Sequence, residues 1–411
     1  MNKEKGKKYL IRLLRWLAVK MIAKYQPGIV VVTGSAGKTS TKEAIAVVLS
    51  SFRWVRATKG NFNNEIGVPL TILGDWNKIT GNGFWVKVIF SSLFRLLFRV
   101  KYPEVLVLEY AADRPGDIKY LLDIARPQIG VVTTIGEIPV HVEYYSGPEA
   151  VAREKSKVVE CLPSTGFAIL NFDDLAVQDM KQRTRGHVVT FGFSPEAEVA
   201  ISNFEYKMEG SRPTGISFKL NYGGSFVPVK LSGCFGKAQA YAAAAGASAG
   251  LVFGLNLVQV SEALTEYHAL PGRGAFIPGI KQTYILDDSY NASPLSMHAA
   301  IDTLKSLKAK RKVAVLGDML EIGKYTNEAH ETIGQLAGKT FDLLFTVGAR
   351  AKFIAEAAQA AGMAQKNIYS FDTADDAKLK VQELIRKGDL ILIKASHSIE
   401  LDRVVEEIRQ V

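Results

Sequence analysis

Four- and five-residue apolar runs recur along the chain, each closed by glycine or a polar residue. In the first half they are Ile29–Val32 in GIVVVT, Val105–Leu108 in VLVLE and the start of Ile129–Thr134, IGVVTT. In the second they fall at Tyr284–Asp287, Lys312–Leu316, Leu343–Val347 and Leu390–Lys394. Such unbroken runs suit parallel strands buried on both faces. Their alternation with helical stretches predicts an α/β fold. From about Glu198 to Leu231 the pattern shortens to alternating runs, ISFKLNY and SFVPVKL, which predict an antiparallel meander. An alanine-rich helix is expected over Ala238–Gly250. Pro271-Gly-Arg-Gly274 then punctuates the chain before the second α/β series, placing a domain boundary near Leu270.

The first apolar run leads into Gly34, Ser35, Ala36 and Gly37, and Lys38, Thr39 and Ser40 open a helix. Glycines let the backbone curl around an anion, the helix start offers unpaired N–H groups, and lysine adds charge. Thr39 stands where a hydroxyl can complete a magnesium shell. Val32 occupies the place of the first glycine in G-x-x-x-x-G-K-[ST], so this loop is a shorter variant. The alternative is an ordinary strand-to-helix turn. The predicted fold class is therefore α/β: a P-loop-containing central domain with a parallel sheet over 28–270, then a Rossmann-like domain over 271–411.

Other polar clusters follow strand ends. Glu109 closes the second run and should face the same crevice as Lys38, because ligands sit beyond the carboxyl ends of strands. His141 and Lys155 follow the third run. Alone, each would be structural or solvated; their place after successive strands makes them site candidates. Asn61, Asn63 and Asn64, set among glycines, form either a plain turn or a ligand-binding loop. In the second domain, Asp287-Asp288-Ser-Tyr290-Asn291 and Asp318 to Glu321 are either turns with helix caps or nucleotide contacts across a cleft.

The chain has 411 residues, with 51 basic against 41 acidic and a net charge of +10. Cys161 and Cys234 alone make no disulfide framework, which suits a reducing compartment. Much of the surplus lies in residues 1–25, where Lys8, Arg12, Arg15 and Lys20 form a basic stripe on an amphipathic helix. No apolar run there spans a bilayer and no small-residue cleavage site follows, so neither an anchor nor a signal peptide is expected. The helix either docks on the first domain or rests on an anionic membrane. Phe84–Val100, apolar but broken by Lys87, Arg95 and Arg99, is expected to be a buried helix with snorkelling basic ends, the other reading being a second membrane-facing patch. No aromatic-basic platform for nucleic acid is present, and a nucleic-acid partner is not expected.

TGSAGKTSTKE, GNFNNEIGVPLT, LEYAADRPGDI, HVEYY, LNFDD, PGRG, DDSYNASPLSM and VLGDMLEIG occur in order, and together they resemble the Mur ligases from about Gly28 to the C-terminus. The nearest branch joins D-alanyl-D-alanine to a UDP-MurNAc-tripeptide in cytoplasmic peptidoglycan precursor synthesis. That resemblance implies an ATP- and Mg²⁺-dependent amide ligase acting through an acyl phosphate. It implies a catalytic set of Lys38, Glu109, His141, Lys155 and Arg273. Gly34 to Ser40, Arg273, Asp288, Tyr290 and Asn291 would bind ATP. Thr39, Glu109, His141 and a carbamylated Lys155 would hold metal, and Asn61, Asn63 and Asn64 would line the acceptor side. The implied partners are the precursor peptide and D-alanyl-D-alanine, and the implied state is a monomer. The family's leading UDP-binding domain has no expected counterpart in residues 1–27, which admits a different acceptor: lipid-linked, a shorter glycopeptide or a polyamino acid. A scaffold that has lost catalysis would need none of the four residues Lys38, Glu109, His141 and Lys155. Phe235-Gly236 replaces the family's His-Asn pair, Gln239 a later asparagine, and His397 an arginine that would meet the D-alanyl-D-alanine carboxylate.

Overall fold

The structure, a computed structural model, describes residues 3–210 and 212–410. Among these residues two sheets form. The first contains β1 (Gly28–Thr33), β2 (Val55–Ala57), β3 (Val105–Glu109), β4 (Ile129–Val132), β5 (Phe167–Asn171), β6 (His187–Gly192), β7 (Val199–Glu209), β8 (Arg212–Tyr222) and β9 (Ser225–Ser232). Their order is β2-β3-β1-β4-β5-β6-β7-β8-β9. Pairing is parallel as far as β7 and antiparallel from β7 through β9. The second contains β10 (Ala275–Gly279), β11 (Thr283–Asp287), β12 (Lys312–Gly317), β13 (Leu343–Val347), β14 (Ile368–Phe371) and β15 (Leu390–Lys394). It is ordered β10-β11-β15-β12-β13-β14, and β10 is its antiparallel edge.

The side-chain period of two divides β1 between the two sides of its sheet. Val30 and Val32 enter one core with α2 (Lys38–Ser50) and the alanine-rich helix Lys237–Val252. The two helices pack closely because a Cβ on Gly246 would lie 3.0 Å from the Ala44 backbone. Ile29 and Val31 enter the opposite core with α1 (Lys3–Tyr25), α3 (Gly67–Leu73) and α4 (Gly81–Leu97).

The leading helix docks, as one of its two sequence readings required. Leu14, Leu17, Ala18 and Met21 are buried, and Arg15 pairs with Asp123 at 3.5 Å. Lys24 Nζ donates to the carbonyls of Arg95, Leu96 and Phe98 at 2.8, 3.0 and 3.0 Å, capping the end of α4. The expected burial of Phe84–Val100 holds for one face only. Phe84, Val88 and Ser92 are buried, but Val86, Phe90, Leu93, Phe94 and Leu97 are exposed on the other side. The helix carries apolar residues on both faces, whereas the domain covers a single face.

Candidate active site

β1 ends at Thr33, and the glycine loop is stitched to the end of β4. The N–H groups of Ser35 and Ala36 donate to the Thr134 carbonyl at 2.7 and 3.2 Å. Gly37 caps α2 in the left-handed region (φ 79°) with no side-chain cap, so the first N–H groups of the helix are free for an anion. Gly34 has φ 147°, and a Cβ there would lie 1.9 Å from Thr133 Oγ1. That hydroxyl is itself 2.7 Å from the Ala36 carbonyl, within the loop. Gly34→Ala is expected to displace the loop and weaken ADP binding at least ~10-fold by calorimetry, since phosphate binding depends on close backbone approach. Unchanged affinity would refute the cradle.

Glu109 ends β3 opposite Val32 of β1, so the register itself brings the carboxylate to the phosphate loop. Asn63 donates to its Oε1 at 3.0 Å, while its buried Oε2 has no hydrogen-bond partner. Burial lowers the pKa of Lys38, and the charge of Glu109 opposes that shift. Asn61 lines the same cleft as Asn63, but Asn64 does not. Asn64 Oδ1 accepts from the N–H groups of Ile66 and Gly67 at 3.1 and 3.0 Å, ordering the entry to α3. An Asx-type cap has claimed a side chain expected on the acceptor side.

Lys155 is buried on the helix Pro148–Glu160. Loss of solvation, then the nearby Lys38 charge, push its pKa down from 10.5 to about 7. A neutral amine is therefore available there near neutral pH. His141 adopts a left-handed conformation, φ 68°. Its Nδ1 lies 2.7 Å from Glu321 Oε2 of the second domain and its Nε2 lies 3.3 Å from Asp113 Oδ1. The adjoining His141 ring holds the Glu321 carboxyl below its usual range. Carboxylates from both domains thus approach the ring, although Nδ1 is buried without a hydrogen bond of acceptable geometry. Among the described residues no group of three His, Cys, Asp or Glu side chains is gathered as a metal cluster.

The cleft, about 1660 Å³, is closed on its far side by the second domain, with Arg273, Asp288, Tyr290 and Asn291 in its wall. That volume exceeds the usual room for one small molecule. The Arg273 guanidinium stacks 3.9 Å from the centre of the Tyr290 ring, whose other neighbour is His397 at 5.0 Å. Asp288 pairs with Lys394 Nζ at 2.6 Å, and Lys394 also donates to the Asn291 carbonyl at 2.8 Å. Gln239 donates to the Arg273 carbonyl at 2.6 Å and accepts from Tyr267 at 2.6 Å, tying the alanine-rich helix to the interdomain segment. Phe235 is buried against Phe276, so it packs instead of offering a polar contact.

Several participants escaped the sequence reading. Asp113 contributes only through the approach of His141. Lys394 was read as the end of a strand and the start of the KASHS run, and its pairing with Asp288 comes from the fold. Asp174 of LNFDD accepts from Ile135 and Gly136 N–H at 2.7 and 2.9 Å, holding the loop that leads to His141. The doubled acid at a strand end was the available signal for Asp174 and the KASHS run that for Lys394; Asp113 carries none.

The description "Mur ligase middle domain" matches residues 32–80 and 91–248, and "Mur ligase, glutamate ligase domain" matches 272–397. The UDP-N-acetylmuramoyl-tripeptide–D-alanyl-D-alanine ligase of Bacillus subtilis (strain 168) is 30% identical over 96% of this chain and 79% of its own length. The enzyme of that name from Escherichia coli (strain K12) is 30% identical over 93% and 77%. The crystal structure of MurF ligase from Thermotoga maritima in complex with ADP superposes with a TM-score of 0.79 at 27% identity, over 97% of this chain and 83% of that one. With matches spanning both sheets and most of the length, the chain belongs to the Mur ligase family.

Proposed function

We propose that this protein is the ATP-dependent ligase that joins D-alanyl-D-alanine to the terminal carboxylate of a UDP-MurNAc-tripeptide. The observation that carries the reading is the opposition of the Lys38 phosphate loop and Glu109 to Arg273 and Asp288 across one cleft. The division proposed with it is 1–27, 28–270 and 271–411. The acceptor carboxylate attacks the γ-phosphorus of ATP and ADP leaves. The incoming amine then attacks the acyl carbon, expelling phosphate and losing a proton.

In this reading Lys38 and the loop N–H groups hold the transferring phosphoryl group and neutralise the charge that grows on it. Arg273 approaches from the second domain, oriented by Tyr290. The Asp288–Lys394 pair sets the ribose end of the ATP site, and Asn61 and Asn63 face the acceptor. Thr39 and the unpartnered Oε2 of Glu109 make an oxygen donor set suited to Mg²⁺ beside the phosphate loop. The metal would supply further neutralisation of phosphate charge. Neutral Lys155 can add carbon dioxide with loss of a proton, giving a carbamate in place of a buried cation. His141 would be the residue to hold a second metal, with Asp113 and Glu321 beside its ring. The protein would work as a cytoplasmic monomer, with peripheral contact to the inner membrane face through residues 1–25, supported by exposed Arg12 and Lys20.

The test is to incubate the protein with ATP, Mg²⁺, D-alanyl-D-alanine and a panel of UDP-linked and lipid-linked muropeptides, and to weigh the products. The expected product is the acceptor plus the dipeptide minus water, with one phosphate per bond. Absence of amine-dependent phosphate release with every cell-wall peptide would overturn the reading. A product with only the lipid-linked acceptor would favour the second reading, which the exposed face of α4 supports.

A further inference from the structure

We propose that α4, with α1 beside it, is an interfacial docking surface for an anionic lipid bilayer, and that α4 supplies the inserting face. The inference stands apart from ligase chemistry and deepens the membrane contact proposed for residues 1–25.

The first observation is an inverted helix. A surface helix ordinarily turns polar residues outward. In α4 the exposed apolar positions are Val86, Phe90, Leu93, Phe94 and Leu97, spaced at helical turns and flanked by exposed Lys87, with Phe98 just beyond; Phe90 is 70% exposed and Leu97 is 78% exposed. Single exposed apolar residues need no explanation, but a continuous apolar face does. Lys24 and Tyr25 of α1 bond the carbonyls at the end of α4, so the two helices share one edge of the molecule. There α1 exposes Tyr9, Arg12, Trp16 and Lys20 at one-turn intervals.

The second observation selects the partner. Residues 1–25 and 76–103 hold thirteen basic residues and one acidic residue; the remainder of the chain holds 38 basic and 40 acidic. The whole positive surplus therefore lies on the two segments that carry the exposed apolar face. Apolar residues flanked by lysine and arginine match the boundary between anionic headgroups and acyl chains. A second copy of this chain would instead bring like charges together. No helix among the described residues is long and apolar enough to cross a membrane, so the contact lies in the interface plane.

Two further features agree. The match to the Mur ligase middle domain breaks over residues 81–90, which carry Val86 and Phe90 of this face, and resumes before Leu93, Phe94 and Leu97. The face is also coupled to the cleft. Lys59, which begins the acceptor-side loop, bonds Asn77 at 2.8 Å and Asp75 at 2.6 Å just before α4. A docked protein would present that side of its cleft towards the bilayer.

The test is flotation of the full-length protein with vesicles of phosphatidylcholine alone or with phosphatidylglycerol. Flotation is expected to rise roughly tenfold with the anionic lipid, and to fall back by a similar factor in Phe90→Ser/Leu97→Ser and in Arg12→Glu/Lys20→Glu. ADP binding and melting temperature serve as folding controls and should not change. Loss only in the α1 variant would overturn the role of α4 while leaving the contact through residues 1–25. Failure of the wild type to float on anionic vesicles would overturn both, and so would concentration-dependent dimerisation that the α4 variant abolishes without any flotation. None of these outcomes bears on phosphate release, which is read separately.

Discussion

Lys38→Ala is expected to lower amine-dependent phosphate release by at least ~10²-fold, the usual cost of removing one preorganised group that stabilises transition-state charge. The residue stands at the first turn of α2, where free N–H groups and a desolvated ammonium converge. A desolvated charge interacts more strongly with phosphate than one in water, and no other lysine stands in the phosphate loop. The melting temperature of the unliganded protein should change little, because truncation removes no large apolar contact. Lys38→Arg should not restore the rate, since a planar guanidinium cannot take the place of a compact ammonium in a closed loop. Coupled phosphate assays at saturating ATP, alongside thermal melts with and without ADP, provide the check. Wild-type turnover in Lys38→Ala would sink the phosphate-cradle assignment.

Lys155 should make stability depend on pH in an unusual direction. Its pKa is about 7 in the folded protein against 10.5 for the ordinary side chain. Between those values the unfolded chain binds one proton more than the native one. Stability contributed by this group therefore rises with pH, by about 1.4 kcal/mol per unit, and the buried-cation penalty is felt in full below pH 7. In buffer purged of carbon dioxide, Lys155→Met should be more stable than wild type at pH 6, on the order of 4 kcal/mol. The same variant should lose ligation, because no other residue in that place can form a carbamate. Labelled bicarbonate should give a carbamate carbon resonance in the wild type that is missing from Lys155→Met. If denaturant midpoints of the two proteins run parallel from pH 6 to pH 10, the lowered pKa is wrong.

Much of the fold was legible because its demands are local. A strand buried on both faces needs an unbroken apolar run, and β1, β3, β4, β12, β13 and β15 each announce themselves so. Of the strands left unassigned, β5 (FAILN) is itself a short buried apolar run that the pattern should have shown, and β10 is an antiparallel edge; the other three have local reasons. β2 has only three residues, half-buried, and β14 is a sheet edge of four. β6, HVVTFG, mixes polar and apolar positions where the parallel sheet gives way to the meander. The phosphate loop was legible for a similar reason: glycine at Gly34 and Gly37 answers to backbone conformation and close approach within a few residues.

Asn64, His141, Lys155 and α4 show where that legibility ends. Nothing near Asn64 in the chain says that its side chain bonds the entry to α3 while Asn63 reaches Glu109. The partner of His141 from the second domain, Glu321, is distant in sequence and arrives only when the two sheets are placed together. The ammonium of Lys155 holds its proton less tightly because the fold removes water and sets Lys38 nearby, and neither effect is encoded in the neighbouring residues. The apolar composition of α4 was plain, but which face the domain would cover was not. The sequence by itself determined the α/β alternation, the phosphate loop and the family, since these rest on backbone geometry and short-range pattern. Tertiary structure alone decided charge state, partner and exposure, because each depends on what distant segments bring within a few ångströms.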